Sequence, residues 1–139
     1  MPEPTMVTLY CEPCPHCVFH AWQRIADGRL CWEAEWECVR CEFGAPDVCD
    51  LDHGWGRAPE RVRAAIVAAE GTVLLRVDGS GGAALKVFRD ALGMTIPEVL
   101  AAVREGYRAT PVEAEYLTHL LGEAGFTVRF TASGPGGPG

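Results

Sequence analysis

Two Cys-x-x-Cys pairs bracket a hairpin-like stretch near the N-terminus and constrain the fold more than any other feature of the chain. They are Cys11-Glu-Pro-Cys14 and Cys38-Val-Arg-Cys41. Between them lies Asp27-Gly28, a dipeptide favoured in two-residue hairpin turns because both residues tolerate positive φ. A turn there sets Ala26 opposite Arg29 and Ile25 opposite Leu30. Carried outward without slip, the register pairs Trp22 with Glu33, Phe19 with Trp36, Cys17 with Cys38 and Cys14 with Cys41. The two thiol pairs then meet at one end. The faces also sort. Phe19, Ala21 and Ile25 join Leu30, Trp32, Ala34 and Trp36 on one side, and His20, Trp22 and Arg24 join Cys31, Glu33, Glu35 and Glu37 on the other. One apolar and one charged face predict a half-buried antiparallel pair. The aromatic face needs cover from the rest of the chain or a partner, and the face holding Cys31 is expected to be wet.

Four thiolates at tetrahedral corners suit Zn²⁺, which is soft enough for sulfur and imposes no directional d-electron demand. Cys11, Cys14, Cys38 and Cys41 are therefore the candidate ligands of one structural zinc. With all four corners supplied by protein, no position is left for water. Such binding contributes about 10–16 kcal/mol in small zinc modules, enough to fold a hairpin too small to fold alone. The stretch Tyr10 to Phe43 resembles the zinc-ribbon family, which implies a fold and a metal rather than an activity. Cys17 extends the first motif to Cys-x-x-Cys-x-x-Cys, so Cys14/Cys17 is an alternative knuckle and His16 an alternative ligand. An iron–sulfur pattern wants a fourth cysteine soon afterwards, followed by proline, and Phe19 to Leu30 contains none.

Composition narrows the function classes. The chain has 139 residues, 48% of them hydrophobic, and a net charge of −7. That suits one domain or two small ones, and a negative field opposes nucleic acid unless a basic patch overrides it. Lys86 is the single lysine among 12 basic residues, a bias that points to a high-GC genome. No signal-peptide pattern and no apolar run of about 18 residues is present, so the expectation is a cytoplasmic chain with no membrane partner. Seven cysteines in a reducing compartment point to metal rather than disulfides.

The chain divides on this reading into a zinc ribbon (1–43), an acidic linker and connecting helix (44–71), an α/β domain (72–132) and a disordered Gly/Pro tail (133–139). Residues 44 to 56 read as loop, rich in Gly, Pro and Asp, with Trp55 buried. A second metal site from Cys49, Asp50, Asp52 and His53 is conceivable, and Cys31 and Cys49 could form a redox pair, but a solvated connector is the simpler account. Pro59 to Glu70 reads as a packing helix with Val62, Ala65, Ile66 and Ala69 on one stripe, and Arg57, Arg61 and Arg63 make a small basic cluster beside it. Thr72 to Val77 is a strand and Ala83 to Leu92 a helix. Thr95-Ile-Pro-Glu98 and Thr110-Pro-Val-Glu113 are capping boxes that open two more helices. Val99, Leu100 and Val103 are expected to point inward from the first of these. Tyr107 to Ala109 and Phe126 to Thr131 complete a β-α-α-β-α-β order. The fold class is therefore α+β: a zinc-ribbon hairpin followed by a sandwich of a small antiparallel sheet with helices on one face.

Ala84-Leu-Lys-Val-Phe-Arg-Asp-Ala-Leu-Gly-Met-Thr-Ile-Pro-Glu-Val-Leu-Ala-Ala-Val-Arg-Glu-Gly106 and Glu113-Ala-Glu-Tyr-Leu-Thr-His-Leu-Leu-Gly-Glu-Ala-Gly-Phe-Thr-Val-Arg-Phe130 resemble the C-terminal domain of the bacterial ribosomal stalk protein. The Clp-protease adaptor has the same fold. The resemblance covers roughly residues 72–131 and implies a protein-docking module, with Lys86 and Arg89 on the matching first helix. Two features depart from that family. Pro97-Glu98-Val99-Leu100 stands where it is lysine-rich, and a thiol-rich module replaces its dimerising N-terminal region. The expected function is a non-enzymatic zinc-binding interaction protein: an adaptor, a regulator, or an acidic inhibitor or immunity-type protein. It would dock a protein partner around Lys86, Arg89, Val99 and Val103. A ribosome- or transcription-associated nucleic-acid binder using Arg24, Arg29, Arg40 and Arg57 is the alternative, and a thiol redox protein is a further one. His20, His53 and His119 share no catalytic motif.

Overall fold

The computed structural model describes residues 17–38, 48–79 and 81–133. Among them the chain is α+β, with two three-stranded antiparallel sheets and four helices. The first sheet is built from β1 (Cys17–Ala26), β2 (Arg29–Cys38) and β3 (Val48–Trp55), in the order β1-β2-β3. Asp27 and Gly28 both adopt positive φ, 53° and 70°, as a tight primed hairpin turn requires. The ladder then runs unbroken from Ala26↔Arg29 to Cys17↔Cys38.

The third strand corrects the loop reading over residues 48 to 55. Val48–Trp55 pairs with β2 along most of its length, with a register shift between Trp36 and Glu37. Its Gly and Asp content hid it, since both residues are depleted in strands. Gly54 is there for space. It sits opposite Trp32, and a Cβ at this position would lie 2.8 Å from the indole. Trp55 is not buried as expected but 46% exposed, with Arg29 stacked 4.3 Å from its ring centroid. Cys31 is likewise not wet. With Arg24 and Trp55 as its cross-strand neighbours, its exposure falls to 5%.

Helix α1 (Glu60–Glu70) supplies the cover that the aromatic face requires. Ala58, Val62 and Ile66 pack on Trp32, Ala34 and Trp36, with Phe19 and Ala21 at the margin. The Arg61 guanidinium lies 5.4 Å from the Trp36 ring and 5.6 Å from Phe19, a cation–π contact over the cluster's edge.

The second sheet has the order β5-β4-β6, from β4 (Thr72–Asp78), β5 (Tyr107–Ala109) and β6 (Thr127–Ser133). Three helices pack on it: α2 (Gly82–Leu92), α3 (Ile96–Glu105) and α4 (Pro111–Glu123). Leu75, Phe88, Leu92, Val99, Leu117 and Leu121 form its core, each 2% exposed or less. Leu30, at the tip of the first hairpin, is buried in this same core, while the rest of the first sheet's apolar face packs with α1 in a cluster of its own.

Gly54→Ala is expected to force the buried Trp32 indole aside and lower stability by about 1–3 kcal/mol. Gly122→Ala, a helical position with open space around it, is expected to raise stability by up to about 1 kcal/mol. Denaturant midpoints of the two variants measure both effects.

Candidate functional site

The groove between α2 and α3 follows from how α3 begins. Gly93 adopts the left-handed conformation and stops α2, and its amide caps the Arg89 carbonyl. Thr95 then restarts the chain. Its hydroxyl accepts from the Glu98 amide at 3.3 Å, while the Glu98 carboxylate accepts from the Thr95 amide at 2.9 Å. Two helices joined this tightly lie side by side, and their facing side chains line a cleft of about 290 Å³. Leu85, Ile96, Val99 and Leu100 make its apolar wall, and Lys86 and Arg89 stand on its rim.

Ile96 is 59% exposed and Leu100 41%. Leu100 therefore faces the groove, against the inward position expected of it. Of the four predicted partner residues, Lys86, Arg89 and Val99 come together here. Val103 does not line the groove and packs against the edge of the core instead. The rim charges are organised. Lys86 lies 2.5 Å from Asp90, and Arg89 3.6 Å from the same carboxylate, so the Lys86 contact first and Arg89 after it hold the Asp90 carboxyl below its usual range. Glu98 is held down by the Thr95 amide, with Arg57 at 3.5 Å adding to it. Ile96 carries no periodic signal that marks it as exposed. Its position at the start of a proline-containing first turn is the one available sign.

A second cluster ties the two sheets together. Arg63 leaves α1 from the flank of its apolar stripe and grips Glu113 at the start of α4, through Nε at 2.9 Å and an Nη at 2.8 Å. The same guanidinium donates to the Arg108 carbonyl at 2.7 Å. Glu113 is fully buried. It also accepts from the Tyr107 hydroxyl and from the Thr110 amide, both at 3.0 Å. Burial alone pushes the Glu113 carboxyl up, but the guanidinium and the other donors outweigh it and hold the group below its usual range. Burial, followed by the facing carboxylate, pushes the Tyr107 phenol up. Thr110 completes the link. Its hydroxyl accepts from the Glu113 amide and donates to the Gln23 side-chain carbonyl of β1 at 2.5 Å. The sequence marks Glu113 as a capping residue. It carries no sign that Arg63, 50 positions earlier, is its partner.

The thiol site falls mostly outside the described residues: Cys11, Cys14 and Cys41, with the alternative ligand His16, all lie there. Cys17 and Cys38 are the last pair of the β1–β2 ladder. Among the described residues no group of three or more His, Cys, Asp or Glu is placed to hold a metal. Within β3, strand alternation turns Asp52 and His53 to opposite faces, which separates two members of the second conceivable metal cluster.

Three of the four arginines of the nucleic-acid alternative are engaged within the protein. Arg24 pairs with Glu33 at 3.0 Å, Arg29 stacks on Trp55, and Arg57 faces Glu98, while Arg40 lies outside the described residues. Glu33 is held down by Arg24 first, against the opposing effect of its partial burial, and also accepts from the Trp22 indole at 2.6 Å. Among the described residues no helix is long and apolar enough to cross a membrane. No protein-family model, curated protein or solved structure matches the chain.

Arg63→Met is expected to cost about 3–5 kcal/mol, because it leaves a buried carboxylate without its counter-charge. Adding Glu113→Gln should recover part of that loss. The pH dependence separates charge from packing. In the native chain the lowered Glu113 group contributes stability above the unfolded value of about 4.3, and that contribution is lost as pH falls through its lower folded value. In Arg63→Met burial is opposed only by the Tyr107 and Thr110 donors, and the group is expected to rise, so the sign reverses. The stability gap between variant and native chain should narrow as pH falls from about 7 to about 5. Thermal unfolding across that range reads it.

Proposed function

We propose that this chain is a small, non-enzymatic, zinc-binding protein-interaction module of the cytoplasm, acting as an adaptor, a regulator or an acidic inhibitor. The observation that carries this reading is the α2–α3 groove, where Ile96 and Leu100 stand exposed over a fully packed core with Lys86 and Arg89 at the rim. A cleft lined by aliphatic side chains and edged by charge suits an amphipathic segment of a partner, with apolar anchors in the cleft and charges setting register. Protein docking is also what the resemblance to the ribosomal stalk domain implies.

The zinc reading rests on the donor chemistry of Cys11, Cys14, Cys38 and Cys41 and on the hairpin register. Cys14 lies three residues before Cys17, and Cys41 three after Cys38. At about 3.3–3.6 Å per residue, each is tethered within about 11 Å of one ladder end. The metal would supply cross-linking between those segments. In this reading it is a staple that holds β1 and β2 against α1, and through α1 supports the surface that meets the partner.

Elemental analysis of the purified chain should find one zinc per molecule, and Cys38→Ser should remove it. Zinc content unchanged in Cys38→Ser would refute the ligand assignment. For the groove, Leu100→Asp alters an exposed side chain and should leave the thermal midpoint near that of the native chain. The protein partner captured from native lysate by the unaltered chain should be lost by Leu100→Asp, corresponding to at least about 2 kcal/mol of binding energy at a hot spot. Retention of the partner by this variant would contradict the groove as the docking site.

A further inference from the structure

We propose that the cleft formed by the tip of the first hairpin, α4 and β6 is a binding site for a small organic cation: an amine or quaternary ammonium carried on an apolar body. The cleft holds about 600 Å³, within the range of small-molecule sites. Three parts of the chain meet there: Ile25 and Gly28 from the hairpin, Glu115, Tyr116 and His119 from α4, and Phe130 from β6. None of these residues lines the α2–α3 groove.

The fold leaves this space open for local reasons. β6 is the outer strand of its sheet. Phe130 pairs with Leu75, and directly opposed residues of an antiparallel pair share a face. Leu75 is fully buried there, whereas Phe130 is half-exposed. Ile25 lies on the apolar face of the hairpin, two residues before its turn. Neither Ile25 nor Phe130 belongs to either apolar cluster, and Tyr116 packs only at the margin of the second. Gly28 brings no side chain to the tip, and a Cβ there would meet no atom within 4 Å. α4 turns Leu117 and Leu121 into the core, which leaves Glu115 and His119 to the outside.

The chemistry of the lining selects the ligand. Among the described residues the Glu115 carboxylate and the Tyr116 hydroxyl have no hydrogen-bond or ionic partner. The Thr118 hydroxyl, also at the cleft, is taken by the Ala114 carbonyl, and His119 lies 3.4 Å from Glu123. No Lys or Arg lines the cleft, and α4 contains neither. The arginines of the adjoining strands are held elsewhere: Arg24 by Glu33, Arg29 on Trp55, and Arg129 by Asp78 on the opposite side of the sheet from Phe130. The carboxylate therefore lacks a counter-charge, and the rings of Tyr116 and Phe130 carry no cation. A positive group is drawn to an aromatic face and to a carboxylate, and an apolar body gains contact with Ile25 and Phe130. An anion would meet Glu115 unopposed.

The test titrates the full ¹⁵N-labelled chain with 3-phenylpropyl-trimethylammonium, its neutral counterpart 3-phenylpropanol, the anion 4-phenylbutyrate, and a capped Ala-Lys-Ala peptide. The ammonium should shift the amide signals of Gly28, Glu115 to His119 and Phe130, with a dissociation constant of about 1 mM or below. The alcohol and the carboxylate should bind at least about fivefold more weakly. Glu115→Gln, at an exposed helix position, should keep the thermal midpoint and weaken ammonium binding about two- to fivefold. Phe130→Leu keeps the strand apolar, removes the ring and should weaken binding by a similar factor. Leu100→Asp should leave ammonium binding unchanged, which separates this site from the α2–α3 groove. Equal binding of the ammonium and the alcohol, shifts confined to another surface, or no shift at all would overturn the proposal. Unchanged affinity in both Glu115→Gln and Phe130→Leu would overturn it as well. Tighter binding of the Ala-Lys-Ala peptide than of the ammonium would overturn it in favour of a lysine-bearing protein partner.

Discussion

A carboxylate with no exposure to solvent has to be neutralised, and here the neutralising group comes from a different half of the chain. Glu113 caps α4 in the second sheet's layer, and Arg63 reaches it from the helix that covers the first sheet. Taking a charge out of water costs several kcal/mol, and the guanidinium repays this only in the bidentate geometry it adopts. α1 is therefore fixed in position relative to α4. The first sheet is fixed relative to α1 by the Trp32, Trp36 and Ile66 packing. Leu30 in the second core and Gln23 on Thr110 make the same connection from the hairpin side. The two sheets are thus connected by a polar network and by Leu30, while each keeps an apolar cluster of its own.

That arrangement bears on the surfaces offered outward. The α2–α3 groove sits on helices whose other faces, through Phe88, Leu92 and Val99, are fully packed. A groove on a rigid support loses little conformational freedom when a partner binds, which favours affinity. The apolar lining of the groove is small and the charges around it are few and organised, which fits the proposed docking of a protein segment. In the proposed reading, a zinc at the end of the hairpin would act on the groove from a distance, by securing the sheet from which α1 takes its position.

Much of this fold was legible along the chain because its signals are local. Asp27-Gly28 sets a turn and with it every pair of the first ladder. The two Thr-Pro capping boxes mark the starts of α3 and α4, and Gly71, Gly93 and Gly106 mark ends of helices. β3 was hidden because Gly54 and the aspartates suit a loop in isolation, and become strand residues only beside Trp32 and its neighbours. The burial of Cys31 has the same origin, since the strand that brings Trp55 over it was the one concealed. In the candidate site, Val99 follows from helix periodicity, and Lys86 and Arg89 from the resemblance of their helix to the first helix of the stalk domain. The exposure of Ile96 and Leu100 depends on how two helices cross, and the Arg63–Glu113 pair on a separation of 50 residues in sequence. Neither leaves a periodic trace.

The central claim is that both sheets and their helices form one cooperative unit, locked by the buried Arg63–Glu113 network. Native-state hydrogen exchange of the purified chain measures it directly, by comparing amides of Leu30 to Trp36 in β2 with those of Ala114 to Leu121 in α4. The account predicts that the slowest amides in the two segments share one opening free energy, within about 1 kcal/mol, and respond in parallel to added denaturant. An opening of β2 several kcal/mol below that of α4, with its own denaturant dependence, would show two independently unfolding modules and contradict the account.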